Sequence, residues 1–340
     1  MRRLSSRGRV LSTLRRVLWQ GLAVALLAGA GAWLLHHTLE NMRLRGIQSG
    51  FDFITQPAGF SIGESLVPFD SAESYGKAFL VGLGNTLRVA VVGIVLATGL
   101  GTLVGVGRLS RNVLVRALCG AYVECFRNVP LLLQLFAWYF VLTEALPPIE
   151  QALRPPGGVF LSKNGLQFPI PTFEGGGALA GAGGFWGWDV PQQAGLNVAG
   201  GGSVTPEYLT VLLGLTTYSA AFIAEIVRAG IQAVPLGQHE AGAALGLSRV
   251  AALRWVVLPQ ALRVIVPPLT SQSLSLTKNS SLAVAVGYPE LVSIAHSSLN
   301  QTGRAFECMA IVMAVYLTLS LLTSWCLSAF ERRALGGSRR

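Results

Sequence analysis

Charge is scarce in this 340-residue sequence: Asp, Glu, Lys and Arg together make up 12% of it, about half the share of a soluble domain. With 51% hydrophobic residues and a mean hydropathy of +0.53, that scarcity excludes an ordinary soluble domain and points to an integral membrane protein. Cysteine is as rare. Cys119, Cys125, Cys308 and Cys326 show no metal-ligand spacing and avoid both long polar connections, so neither a zinc site nor a disulfide framework is supported. His36, His37, His239 and His296 are scattered, which leaves no histidine-based metal or catalytic site. No phosphate loop of the form G-x-x-x-x-G-K-[ST] occurs, so the chain cannot hold ATP by that route. The net charge of +10 lies mostly at the ends of apolar runs instead of in a basic patch with interleaved aromatics, which argues against a nucleic-acid partner.

What is abundant is apolar sequence in lengths that suit a bilayer, whose core of about 30 Å needs roughly 20 helical residues. The expected fold is all-α, a polytopic bundle of about six transmembrane helices. Residues 1–16 form a basic head and 17–37 the first span, with Val17 to Leu35 as its apolar run. The arginine-rich head and the "AGAGA" stretch also fit a signal peptide, but the run exceeds a signal core and favours a retained helix. A periplasmic segment, 38–77, precedes core helices in 78–146. There the run Phe79–Gly107 contains Arg88, which sits either at the outer interface or about two turns deep. In Val113–Ala145 the span is expected to begin near Cys125 after an interfacial or angled helix, with Glu124 and Arg127 spaced i,i+3 to pair. Residues 147–206 read as an irregular Gly- and Pro-rich insertion, with Trp186 and Trp188 available for interfacial contact. Core helices resume over 207–330, interrupted at 233–259, and 331–340 form a tail.

Arginine distribution orients this arrangement. Arg2, Arg3, Arg7, Arg9, Arg15 and Arg16, then Arg108, Arg111 and Arg116, then Arg249 and Arg254, and finally Arg332, Arg333, Arg339 and Arg340 fall on one side of a six-span topology. The positive-inside bias makes that side cytoplasmic, with both termini and the 233–259 interruption on it.

The interruption contains "QHEAGAALGLSRVAALRWVVLP". A short helix from about Leu236 to Leu245 should stop at Gly246 in a left-handed turn, and Ser248 should cap a second from Arg249 to Leu258. Pro259 then opens the next span. Ala241, Ala244 and Leu245 recur at helical spacing and make a face suited to a groove on a partner.

These residues resemble the E-A-A loop of permease subunits in ATP-binding-cassette importers. Glu240, Ala241, Gly242, Gly246, Val256, Leu258 and Pro259 stand at its spacings, with Gly242 replacing the second alanine and Val256 an isoleucine. Four further segments, "LGNTLRVAVVG", "AYVECFRNVPLLLQLFAWYF", "YSAAFIAEIVRAGI" and "SLSLTKNSSLAVAVGYPEL", are similar to the polar-amino-acid branch. One departure is "FRNVP", where Asn128 and Val129 replace the usual Gly-Thr pair. The segment Phe51–Ser65, the extra first helix and the insertion resemble the general L-amino-acid group.

The resemblance implies an amino-acid importer permease of the bacterial inner membrane, catalysing nothing and binding no cofactor. Its implied partners are an ATPase dimer that uses ATP and Mg, a second and distinct homologous permease, and a periplasmic amino-acid-binding protein. It places the coupling contacts at Glu240, Ala241, Gly242, Gly246, Leu258 and Pro259. An ion-gradient-driven secondary amino-acid transporter is the alternative, and it calls for a midplane carboxylate that the spans do not offer. Ser271, Ser275 and Lys278 share a helix face that must avoid lipid, either lining the substrate path or packing against the other permease. Arg88 is a further candidate for the path. Glu225 and Arg228, at i,i+3, form a structural pair. Pro267 and Pro268 are expected to kink the fifth span, and Gly101 and Gly105 to let two helices approach closely.

Overall fold

The computed structural model describes residues 6–44, 46, 49–174, 185–194 and 197–336. Helix α1 (Ser6–Leu44) is apolar from Val17 and exposed over residues 17–38, with Leu18, Trp19, Leu26 and Leu27 all uncovered within the chain. Residues 49–74 run as an extended strap with one short turn, Asp52–Thr55, and then Ser74 caps α2 (Tyr75–Gly107) by accepting a hydrogen bond from the Lys77 amide at 3.3 Å. The expected periplasmic segment, 38–77, covers the end of α1, the strap and the first residues of α2.

Asn112 caps α3 (Val113–Asn128), its Oδ1 accepting from the Leu114 amide at 2.9 Å. The break that follows lies at Pro130, a turn later than the expected span start at Cys125. Pro130 forces Val129 into an extended conformation (φ −100°, ψ 130°). Helix α4 (Leu131–Phe140) and a wide turn, Val141–Ala145, then leave at 107° to α3. Gln134 donates from Nε2 to the Phe126 and Val129 carbonyls at 2.8 and 2.9 Å, satisfying acceptors that the break exposes.

The insertion departs from the irregular structure expected of it. Strands β1 (Phe160–Ser162) and β2 (Gly165–Phe168) pair antiparallel, Phe160 opposite Gln167, followed by hairpin β3 (Ile170–Glu174) and β4 (Phe185–Asp189). Strands β5 (Gln192–Ala194) and β6 (Asn197–Ala199) pair, and β7 (Gly202–Val204) closes a three-stranded sheet against β2, Val204 opposite Leu166. Strands of three to five residues are too short to display a two-residue period. Trp188 on β4 is exposed, while residues 175–184 of the glycine-rich run lie outside the described residues.

Thr205 caps α5 (Pro206–Gln232), the most buried of the long helices. After it come α6 (Leu236–Ala244), α7 (Arg249–Ala252) and a wide turn, Leu253–Val257, that continues directly into α8 (Leu258–Asn279). A 3₁₀ segment (Ser280–Val286), α9 (Leu291–Thr302) and α10 (Ala305–Gly336) complete the chain. Among the described residues, counting the bent α3–α4 pair as one, six segments are long and apolar enough to cross a membrane.

The main core gathers Leu135, Val211, Leu215, Ile223, Ala261 and Leu276 around α5. Glycine brings α2 onto it, as the G-x-x-x-G spacing anticipates. A Cβ on Gly101 would stand 2.6 Å from Ile223 Cβ, and one on Gly105 would stand 2.7 Å from the Ala224 carbonyl oxygen. A second core joins the strap to α2 and α9 through Phe53, Tyr75, Phe79, Leu291 and Ile294. Helix α8 continues through Pro267 and Pro268 as one helix.

Candidate functional site at the two ends of the bundle

At one end, α6 and α7 form a bent pair whose turn follows from three residues. The Gly246 amide bonds the Ala243 carbonyl at 2.9 Å and the Leu247 amide bonds the Gly242 carbonyl at 3.1 Å, which closes α6 over Gly246 at φ +74°. Ser248 Oγ then accepts from the Ala251 amide at 3.3 Å and starts α7. No other group lies within 4 Å of a Cβ built on Gly246, so its left-handed backbone is the reason for glycine, not a close approach within the chain. Gly242 faces the inside of the bend. A Cβ there would meet Ala252 Cβ at 3.5 Å and Val256 Cγ2 at 3.9 Å, ordinary contacts, so alanine fits where this chain has glycine.

The wide turn before Pro259 also has a local cause. Proline offers no amide to the helix ladder, and the Leu258 amide reaches back to the Leu253 carbonyl, one residue further than in a regular α-helix. Gln260 Nε2 donates to Gln238 Oε1 at 3.1 Å and ties α8 to α6. Leu236, Leu245, Val250 and Trp255 are each about 70–80% exposed. Together they form an exposed apolar patch on a small projection. Ala241, Ala244, Leu258 and Pro259 are exposed beside them, and so is Glu240, which has no partner among the described residues.

Beneath this pair, Glu225 is clamped by two arginines. Arg228 donates from Nε at 3.2 Å and again from Nη2, and Arg108, at the end of α2, donates from Nη1. The Glu225–Arg228 pair was legible from its spacing, whereas Arg108 is 117 residues from Glu225 and carried no signal beyond its place at the end of an apolar run. The other expected pair does not form. Glu124 accepts from Asn128 Nδ2 at 3.4 Å, while the Arg127 guanidinium lies 5.2 Å from the Phe222 ring centroid on α5. Stacking on a ring across the helix interface competes here with a charge pair along one helix.

The opposite end is organised by Glu64, a strap residue that sequence reading missed. Its Oε1 accepts from Arg88 Nη1 at 2.5 Å, and its Oε2 accepts from the Thr205 amide at 3.2 Å and hydroxyl at 2.5 Å. Its carbonyl accepts from Asn85 Nδ2 at 2.8 Å, and the same Nδ2 donates to the Pro289 carbonyl at 2.8 Å. Arg88 lies 4.1 Å from the Tyr208 ring centroid. The Glu64 carboxylate thus joins the strap to α2 and the start of α5, and Asn85 ties the strap to the loop before α9. Beside them Glu290 is fully buried, caps α9 through the Ser293 amide at 2.9 Å and accepts from Tyr316 Oη at 3.2 Å. Burial pushes its carboxyl up to about 7.

Ser271, Ser275 and Lys278 do share one exposed face of α8, and Ser275 Oγ donates to the Ser271 carbonyl at 3.0 Å. Lys278 borders a cavity of about 420 Å³ together with Ser281, Tyr316 and Ser320. Arg88 does not join them, because its guanidinium is held by Glu64. Among the described residues no cluster of His, Cys, Asp or Glu has the geometry of a metal site.

Apolar helices of membrane-crossing length, with a glycine-bent helix pair at one end, define a polytopic membrane protein. Residues 90–336 match the family described as binding-protein-dependent transport system inner membrane component, and the chain belongs to that family. It is a multi-pass inner-membrane permease subunit and not itself an ATPase. It is 43% identical to the putative amino-acid ABC transporter permease protein YhdX of Escherichia coli K12, over 94% of each chain. It is 41% identical to the general L-amino acid transport system permease protein AapQ of Rhizobium johnstonii, over 94% of this chain and 92% of that one. A solved chain from the crystal structure of an amino acid ABC transporter with histidines superposes with a TM-score of 0.54 at 25% identity, covering 76% of this chain and 95% of its own.

Proposed function

We propose that this chain is one of two permeases in an ATP-driven importer for amino acids of the general L-amino-acid group, and that it receives its drive through α6 and α7. The observation that carries the reading is the projection turned by Gly246, where Leu236, Leu245, Val250 and Trp255 are uncovered around Glu240. A pair of short helices with an apolar rim fits a groove on an ATPase subunit. ATP and Mg belong to that subunit, and closure of the ATPase dimer moves the docked helices together with α8, into which α7 continues. Both termini and the α6–α7 pair lie in the cytoplasm, as the arginine distribution requires.

A second permease, distinct from this chain, covers the exposed α8 face, where Ser271, Ser275 and Lys278 border the substrate path. A periplasmic amino-acid-binding protein delivers substrate at the opposite end. The relatives YhdX and AapQ, named as amino-acid permeases, support the substrate class.

The test is paired measurement of amino-acid uptake and ATP hydrolysis in proteoliposomes containing the assembled importer. Gly246→Asp and Glu240→Ala are expected to assemble but to lose uptake relative to hydrolysis. Undiminished uptake in both variants would contradict the coupling assignment.

A further inference from the structure

The strap, the first turn of α5 and helix α9 enclose a cavity of about 350 Å³ at the Glu64 end of the bundle. Its walls include the hydroxyl-bearing residues Ser61, Thr205, Ser293 and Ser297 and two carboxylates, Glu64 and Glu207. The carboxylates differ in what they have left to offer. Glu64 is saturated by Arg88 and by two hydrogen bonds from Thr205. Glu207 has no ion pair or hydrogen bond to any described residue and is only partly exposed. The cavity therefore presents one uncompensated negative charge over a floor already neutralised by Arg88. The dipole of α5 accounts for an acidic residue in its first turn, but it does not require that residue to line a cavity with the strap and α9. A volume at the small end of the ligand-pocket range, about 300 Å³ upward, suits one long side chain entering from above.

We propose that this cavity receives a lysine or arginine side chain of the external amino-acid-binding protein, with Glu207 as its counter-charge. The inference rests on the importer reading given above, which puts this end on the periplasmic side. Since the cavity floor is the residue that joins the strap to α2 and α5, an occupant contacts the segment that ties the outer ends of three elements together.

The test uses the intact importer in lipid nanodiscs and a purified periplasmic amino-acid-binding protein that stimulates ATP hydrolysis by the native complex. Hydrolysis is followed against binding-protein concentration for the native chain and for Glu207→Gln, Glu207→Lys and Glu207→Asp. The half-maximal concentration is expected to rise about tenfold in Glu207→Gln at low salt, more in Glu207→Lys, and to return toward native in Glu207→Asp. Maximal and basal hydrolysis stay unchanged, and raising the salt brings the native value toward that of Glu207→Gln. An unchanged half-maximal concentration in Glu207→Gln and Glu207→Lys would overturn the proposal and leave Glu207 as a helix-dipole residue. Lowered thermal stability with native binding-protein dependence would overturn it in the same way. If no binding protein stimulates the native complex, the importer reading itself fails, and this inference with it.

Discussion

Glu64 and Arg88 meet at 2.5 Å across 24 residues of chain, and both lie before the 90–336 segment that matches the family. Glu64 comes from a polar strap and Arg88 from a membrane helix, so neither a helical spacing nor a charge run announces them as partners. Both are largely buried. Removing one member leaves the other charge without compensation, which costs about 3–5 kcal/mol for a buried pair. Glu64→Gln should therefore lower the thermal midpoint of the purified protein markedly, and the double variant Glu64→Gln/Arg88→Met should recover part of the loss. Additive losses in the double variant would mean that the pair has no energetic coupling.

The glycines of α2 make an opposed pair of predictions. A methyl at Gly101 runs into Ile223 and the Ala220 carbonyl, so Gly101→Ala should destabilise by about 1–3 kcal/mol. Gly99 has no atom within 4 Å of an added Cβ, so Gly99→Ala should be neutral or stabilise by up to about 1 kcal/mol through helix propensity. Thermal melts of the two variants in one detergent compare them directly.

In the α6–α7 pair the two glycines should also separate. Gly242→Ala fills an ordinary contact and should retain uptake and stability. Gly246→Ala must adopt φ +74°, at a cost of about 1–2 kcal/mol for an L-residue, and should reduce uptake while membrane insertion is preserved. Uptake assays with expression-matched variants check both.

Glu290 predicts a pH dependence with a definite sign. Its folded carboxyl holds a proton up to about pH 7, against an ordinary value of 4.5, because burial disfavours the charged form. The folded state thus binds the proton more tightly than the unfolded one. Its contribution is complete below about pH 4.5 and is lost as pH rises through 7, a change of about 3 kcal/mol. The thermal midpoint should fall between pH 5.5 and pH 8, and Glu290→Gln should flatten that slope. A native protein whose midpoint rises over the same interval would contradict the assignment.

Features written locally were legible in the sequence. Gly246, Ser248 and Pro259 set the bend, the cap and the wide turn within a few residues of themselves, and each has the conformation its chemistry dictates. Gly101 and Gly105 declared a close helix contact through their spacing, although not that α5 is the partner. Long-range partners were not legible: Glu64 for Arg88, Arg108 for Glu225 and Phe222 for Arg127. The last of these shows why spacing alone misled at Glu124 and Arg127, since a ring on a neighbouring helix captured the guanidinium. The insertion hid its strands because each is shorter than the pattern needed to recognise it.

The claim that α6 and α7 form the joint to an ATPase is tested most directly by cross-linking. With Cys119, Cys125 and Cys326 replaced by serine and Cys308 buried, one accessible cysteine is placed at Leu245, exposed beside Gly246, or at Leu66, exposed on the strap. A short bifunctional thiol reagent should join the Leu245→Cys chain to the ATPase subunit in the assembled complex, with a yield that changes on ATP binding, and should leave Leu66→Cys unlinked. Cross-linking of the ATPase from Leu66→Cys but not from Leu245→Cys would contradict the account.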